Sequence, residues 1–97
     1  MNQEQLENVM VALGWEQRDA GFWGPSDGVG GIVTDYLSIY LASPDGQIEM
    51  QEWLKGKGYG VILNCDDTIT LLKYREDEFD TLPEAVLWAS EQEEVMP

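Results

Sequence analysis

Ile32-Val33-Thr34-Asp35-Tyr36-Leu37-Ser38-Ile39-Tyr40-Leu41-Ala42, then Ser43-Pro44-Asp45-Gly46, then Gln47-Ile48-Glu49-Met50-Gln51-Glu52-Trp53-Leu54: on this stretch the fold turns. Its first part alternates. Leu37, Ile39 and Leu41 fall on one face of an extended chain, and Tyr36, Ser38 and Tyr40 on the other. The middle is a strong turn signal, with Pro at the second position and Gly closing it. The last part alternates again, setting Ile48, Met50 and Leu54 against Gln47, Glu49, Gln51 and Trp53, although Glu52 interrupts the apolar face. A short helix over 47–54 is the competing reading. The turn before it tips the balance to a hairpin, two strands over 32–41 and 47–54.

Outward from there, toward the N-terminus, Leu6, Val9, Met10 and Leu13 repeat at helical spacing. Asn2 and Gln5 form a capping box, and Gly14 stands where a left-handed residue ends a helix, with Trp15 following. From Trp15 to Trp23 the pattern suits two short strands around a tight turn at Arg18-Asp19-Ala20-Gly21. The run from Gly24 to Gly31 is a loop by composition.

Toward the C-terminus, Lys55-Gly56-Lys57-Gly58 reads as a loop and 59–65 as a strand, whose run Val61-Ile62-Leu63 implies burial on both faces. Asn64-Cys65-Asp66-Asp67 turns the chain, and 68–74 is read as the last strand. Arg75-Glu76-Asp77-Glu78 then reads as an acidic link. A second helix starts at Thr81, three residues before Glu84, with Pro83 in its first turn. Its buried stripe is Leu82, Ala85, Val86 and Ala89; Leu87 and Trp88 lie off it.

The expected fold is α+β, a single domain over 1–97 with 91–97 as a frayed tail. An antiparallel four- to five-stranded meander sheet carries the N-terminal and C-terminal helices on one face, as a two-layer sandwich. Its open face would show Tyr36, Tyr40, Glu49 and Trp53.

Charge says most about function. Nineteen acidic residues stand against five basic ones, a formal net charge of −14 in 97 residues with no histidine. Such a chain repels nucleic acid and anionic membranes and is drawn to basic surfaces. From Glu76 to the end there are eight carboxylates and no basic residue. At that density, negative charge can stand in for a phosphate backbone.

Catalytic and cofactor chemistry find little support. Without histidine the commonest general base and metal ligand is missing. Cys65 stands alone, with no activating partner and no second thiol for a disulfide or a zinc site. The glycines at 28–31 precede a strand, and those at 56–60 lack phosphate-loop spacing, so both are turn chemistry. Asp66-Asp67 and the carboxylates of 76–80 lack the ligand spacing of a calcium loop. No catalytic residue, cofactor or metal is expected. The first residues carry neither a basic nor an apolar signal-peptide region, and no apolar run is long enough to span a bilayer, so a cytoplasmic protein is expected.

The composition thus favours a small acidic inhibitor that binds a basic, nucleic-acid-handling protein. In size and charge, though in no motif, the chain is similar to anti-CRISPR and anti-restriction proteins of phages and to immunity proteins against nuclease toxins. The expected partner-binding residues are Glu76, Asp77, Glu78, Asp80, Glu84, Leu87, Trp88 and Glu91, with Tyr36, Tyr40, Glu49 and Trp53. The alternative is an adaptor or a homodimeric subunit whose charge serves solubility. A partner that is itself nucleic acid or membrane is not expected.

Overall fold

A computed structural model describes residues 1–19, 21–25 and 31–93, the side chains of Asp19 and Glu93 excepted. The chain is α+β. Its elements are α1 (Gln3–Ala12), β1 (Trp15–Asp19), β2 (Phe22–Pro25), β3 (Ile32–Val33), a 3₁₀ turn (Thr34–Tyr36), α2 (Leu37–Ala42), α3 (Pro44–Gly56), β4 (Gly60–Leu63), β5 (Ile69–Leu72), β6 (Glu76–Phe79) and α4 (Leu82–Glu93).

Local signals at the two ends of the chain act as their chemistry dictates. The Asn2 side chain accepts from the Gln5 amide at 2.8 Å, and the Gln5 side chain accepts from the Asn2 amide at 3.0 Å. Gly14 takes φ +94°, a backbone open to glycine at little cost, and directs the chain into β1. β1 and β2 form the expected hairpin, with a register shift between Gln17 and Asp19. There the Arg18 guanidinium donates to the Pro25 carbonyl at 2.6 Å. Of the loop expected over 24–31, Gly24 and Pro25 belong to β2, and 26–30 lie outside the described residues, as does most of the expected frayed tail.

The central stretch departs from expectation. Ile32 and Val33 alone are strand; the chain then enters the 3₁₀ turn and two consecutive helices. Leu37 and Leu41 are buried one turn apart, whereas Ile39 is 61% exposed. In α3 the buried positions are Gly46, Met50 and Leu54, spaced by four, and Ile48 is 54% exposed. The side-chain period is therefore 3.6, and the competing helical reading of 47–54 holds. Ser43-Pro44-Asp45-Gly46 is a helix start. Ser43 is the N-cap, its Oγ accepting from the Gly46 amide at 3.2 Å, and Pro44 occupies the first turn. A Cβ at Gly46 would meet the Tyr40 carbonyl at 2.1 Å, so glycine here lets α3 start against the end of α2. Gln47 Nε2 donates to the Leu41 carbonyl at 2.8 Å and fastens the corner.

The single meander sheet is replaced by two three-stranded antiparallel sheets, ordered β1-β2-β3 and β4-β5-β6. With 37–56 helical, the strands before and after it no longer join. The supposed acidic link is strand β6, paired with β5 from Ile69↔Phe79 to Leu72↔Glu76, so β5 is central and not last. Lys55 and Gly56 close α3 instead of opening a loop. Val61 is half-buried, while Ile62 and Leu63 are exposed, which corrects the reading of β4 as covered on both faces.

One core unites the elements. Val9, Met10, Leu37, Leu41, Met50, Leu54, Leu82, Ala85, Val86 and Ala89 come from the four helices, Trp23 from the first sheet, and Ile69 and Leu71 from the second. The stripe read for α4 is fully buried. Among the described residues no helix is long and apolar enough to cross a membrane.

Candidate functional site

Along β6 the alternation of a strand divides the carboxylates. Glu76 and Glu78 are exposed, while Asp77 and Phe79 are half-buried. Asp77 meets Arg75, Nε to Oδ2 3.1 Å. Glu76 and Glu78 share their face with Leu72 and Thr70, their partners on β5, and with Ile62 on β4. The second sheet does keep one face partly open, but Tyr36, Tyr40, Glu49 and Trp53 are not on it. They sit on the 3₁₀ turn, α2 and α3, because that stretch is helical.

Asp80 is exposed at the junction of β6 and α4. The Thr81 Oγ accepts from the Glu84 amide at 3.4 Å, capping α4. One turn spacing along α4 then aligns Glu84, Leu87, Trp88 and Glu91. With Phe79 from β6 and Met1 and Gln5 from the start of α1, these four line an open groove of about 440 Å³. Trp88 forms part of its wall and is anchored by two rings, Phe79 at 5.3 Å and Tyr59 at 6.1 Å. On the far side of Leu87 and Glu91 a second open groove runs along α1 past Asn8, Val11 and Ala12. The groove thus joins four of the residues singled out in the sequence: Glu84, Leu87, Trp88 and Glu91. Among the described residues neither Glu84 nor Glu91 forms a side-chain ion pair with Lys or Arg.

Met1, Gln5 and Phe79 were not among the residues singled out. Phe79 reaches the groove from β6, where the alternation of the strand turns it the same way as Asp77. No sequence signal places Met1 and Gln5 here, since they come from the opposite end of the chain.

Tyr40 and Glu49 stand elsewhere and do something different. The Tyr40 hydroxyl donates to Glu49 Oε1 at 2.5 Å, and the Trp15 indole N–H donates to Glu49 Oε2 at 2.9 Å. The Trp15 and Tyr40 rings are 5.3 Å apart. Three elements, β1, α2 and α3, are thereby tied to one half-buried carboxylate. Burial and the neighbouring Glu49 and Asp45 charges push the Tyr40 hydroxyl well above the usual phenol range. Tyr36 is exposed, and Trp53 is half-buried with the Lys57 ammonium 5.6 Å from its ring centre.

The cations are gathered, not dispersed. Lys55 and Lys57 end α3, and Lys73 and Arg75 flank the turn between β5 and β6. Lys73 Nζ donates to the Lys57 carbonyl at 2.9 Å and stands 4.8 Å over the Tyr59 ring, which joins the two segments into one basic pole. Arg18 stands apart from both segments in sequence, on β1. At the other end of the second sheet, Asp66 Oδ1 accepts from the Thr68 hydroxyl at 2.6 Å and its amide at 3.2 Å. These bonds lower its carboxyl below the ordinary range. Among the described residues no group of three carboxylates or thiols gathers in a way that could hold a metal ion.

Comparison with protein-family models, with curated proteins and with solved structures returns no match. The functional reading therefore rests on the geometry.

Proposed function

We propose that this chain is a non-enzymatic acidic inhibitor that docks on a basic, nucleic-acid-handling protein through α4 and β6. The observation that carries the reading is the groove itself. Leu87 and Trp88 offer apolar contact between Glu84 and Glu91, two carboxylates that form no side-chain ion pair with Lys or Arg among the described residues. An interface of this kind takes its short-range energy from an aromatic anchor and its approach rate from unscreened charge. Lys55, Lys57, Lys73 and Arg75 lie at the end of α3 and beside the β5–β6 turn, and among the described residues of 76–92 the carboxylate that meets a cation is Asp77, paired with Arg75. The target it suits is a Lys/Arg-lined channel or active site that otherwise takes phosphate. Two kinds of inhibitor have this logic: an anti-restriction or anti-CRISPR protein, and an immunity protein that covers a nuclease toxin.

The test is retention of proteins from the source cell on the immobilised chain at about 0.1 M salt, followed by competition. The expected outcome is a nucleic-acid-binding protein that duplex DNA displaces, that leaves as salt rises toward about 0.5 M, and that a Glu84→Lys/Glu91→Lys double variant no longer holds. A retained partner indifferent to DNA, to salt and to this double variant overturns the reading.

A further inference from the structure

The two edges of the second sheet are built differently. Its β6 edge carries three consecutive carboxylates, Glu76, Asp77 and Glu78, the common device that keeps a free edge from pairing. Its β4 edge, Gly60-Val61-Ile62-Leu63, carries no charge. There Ile62 is 43% and Leu63 56% exposed in a chain of net charge −14.

The hydrogen-bond phase of β4 follows from its turn. The Asn64 amide donates to the Thr68 carbonyl at 2.9 Å, and Leu63↔Ile69, Ile62↔Thr70, Val61↔Leu71 and Gly60↔Leu72 continue the register. Bonded and non-bonded pairs alternate in an antiparallel ladder, so Ile62 and Gly60 also direct N–H and C=O toward β5. Val61 and Leu63 direct theirs outward, to an edge with no strand partner among the described residues.

We propose that this edge is a docking site for a second copy of the chain, β4 against β4, giving a continuous six-stranded sheet. A two-fold axis through Ile62 sets Val61 of each copy opposite Leu63 of the other. Each of these two pairs can exchange both of its N–H···O=C bonds, and the two Ile62 side chains meet in a close non-bonded pair. The choice of a second copy, over an unrelated strand, comes from charge complementarity along the same register. The axis carries the β4–β5 turn of each copy, with exposed Asp66 and Asp67, to the Gly58 end of the other copy. There Lys57 and Lys73 form the basic pole, and Lys73 Cε lies 3.4 Å from the position of a Cβ on Gly58. Self-recognition thus sets the Lys57–Lys73 cluster of one copy against an acidic turn of the next. Because each copy carries −14, long-range repulsion opposes the pairing at low salt, and the dimer is weak and favoured by screening. This surface is separate from the α4 groove and stands or falls independently of it.

The experiment is sedimentation equilibrium of the whole chain in about 0.3 M salt, with amide hydrogen exchange measured at low and high protein concentration. The expected result is a monomer–dimer equilibrium in which the Val61 and Leu63 amides become protected as concentration rises, while those of Gly60 and Ile62 are protected throughout. Ile62→Lys, at an exposed position that leaves the β4–β5 ladder intact, should weaken dimerisation by about tenfold or more. Lys57→Glu, facing the acidic turn, should weaken it more modestly, and circular dichroism should show both variants folded. A monomer at every concentration overturns the proposal. So does a dimer that leaves the Val61 and Leu63 amides unprotected or is indifferent to Ile62→Lys.

Discussion

Two places in this molecule combine aromatic rings with carboxylates, and they do opposite work. Around Glu49, both oxygens accept hydrogen bonds, from Tyr40 and Trp15, and the carboxylate joins three elements of the fold. Around Trp88, the ring is fixed by Phe79 and Tyr59, while Glu84 and Glu91 flank it and form no side-chain ion pair with Lys or Arg among the described residues. Residue type is the same in both. What separates them is whether the fold supplies the partner. A satisfied carboxylate stabilises its own chain; an unsatisfied one at a groove is available to another molecule.

The sharpest way to break this contrast is Glu49→Ala. It strands the Tyr40 hydroxyl and the Trp15 indole in a half-buried site and is expected to cost about 2–3 kcal/mol in urea unfolding. A loss below about 0.5 kcal/mol would mean that the Glu49 cluster is no more structural than the groove.

Tyr40→Phe removes one of the two donors and should cost about 1 kcal/mol at neutral pH. The same variant carries a pH signature. The folded hydroxyl titrates above the unfolded phenol, so the Tyr40 contribution is fully present below about pH 10 and fades as pH rises through the alkaline range. The wild-type urea midpoint should therefore fall more steeply than that of Tyr40→Phe between about pH 9.5 and 11.5. Parallel curves would remove the hydroxyl from the account.

At the groove the expected stability effect is smallest. Glu84→Gln/Glu91→Gln should leave unfolding free energy within about 0.5 kcal/mol of wild type, with the sign toward stabilisation as self-repulsion falls. Retention of the basic partner should drop all the same. A large destabilisation would turn the groove carboxylates into structural groups and erase the distinction from Glu49. Raising salt from about 0.01 M to 0.5 M should likewise stabilise the free chain by relaxing repulsion among its carboxylates.

How much was legible in the sequence depended on where each signal lives. The caps of α1, the left-handed Gly14, the β1–β2 hairpin and the stripe of α4 are local, each decided within one short continuous stretch of chain, and they read correctly. Segment 37–54 did not, for a specific reason. A type I turn and the first turn of a helix share nearly the same right-handed dihedrals, so Ser43-Pro44-Asp45-Gly46 signals either one. Apolar residues at 37, 39, 41 and at 48, 50, 54 fit a period of two only if Ile39 and Ile48 are buried. Both face solvent instead. Glu52, which interrupted the strand pattern, was the residue that argued for the helix. The β6 strand was missed because its charge spoke louder than its alternation of exposed Glu76 and Glu78 with half-buried Asp77 and Phe79.

By itself the sequence determined the excess of negative charge, the absence of histidine, the terminal helices with their caps, and the buried stripe of α4. Each of these follows from composition or from contacts between near neighbours in the chain. Tertiary structure alone decided that Tyr40 and Glu49 bind Trp15, that Met1 and Gln5 close the groove, and that Lys57 and Lys73 meet at one pole. It also decided that the strands divide into two sheets. Those outcomes depend on which distant segments the common core brings together, and a period of 2 or 3.6 read along one segment carries no information about its neighbour in space.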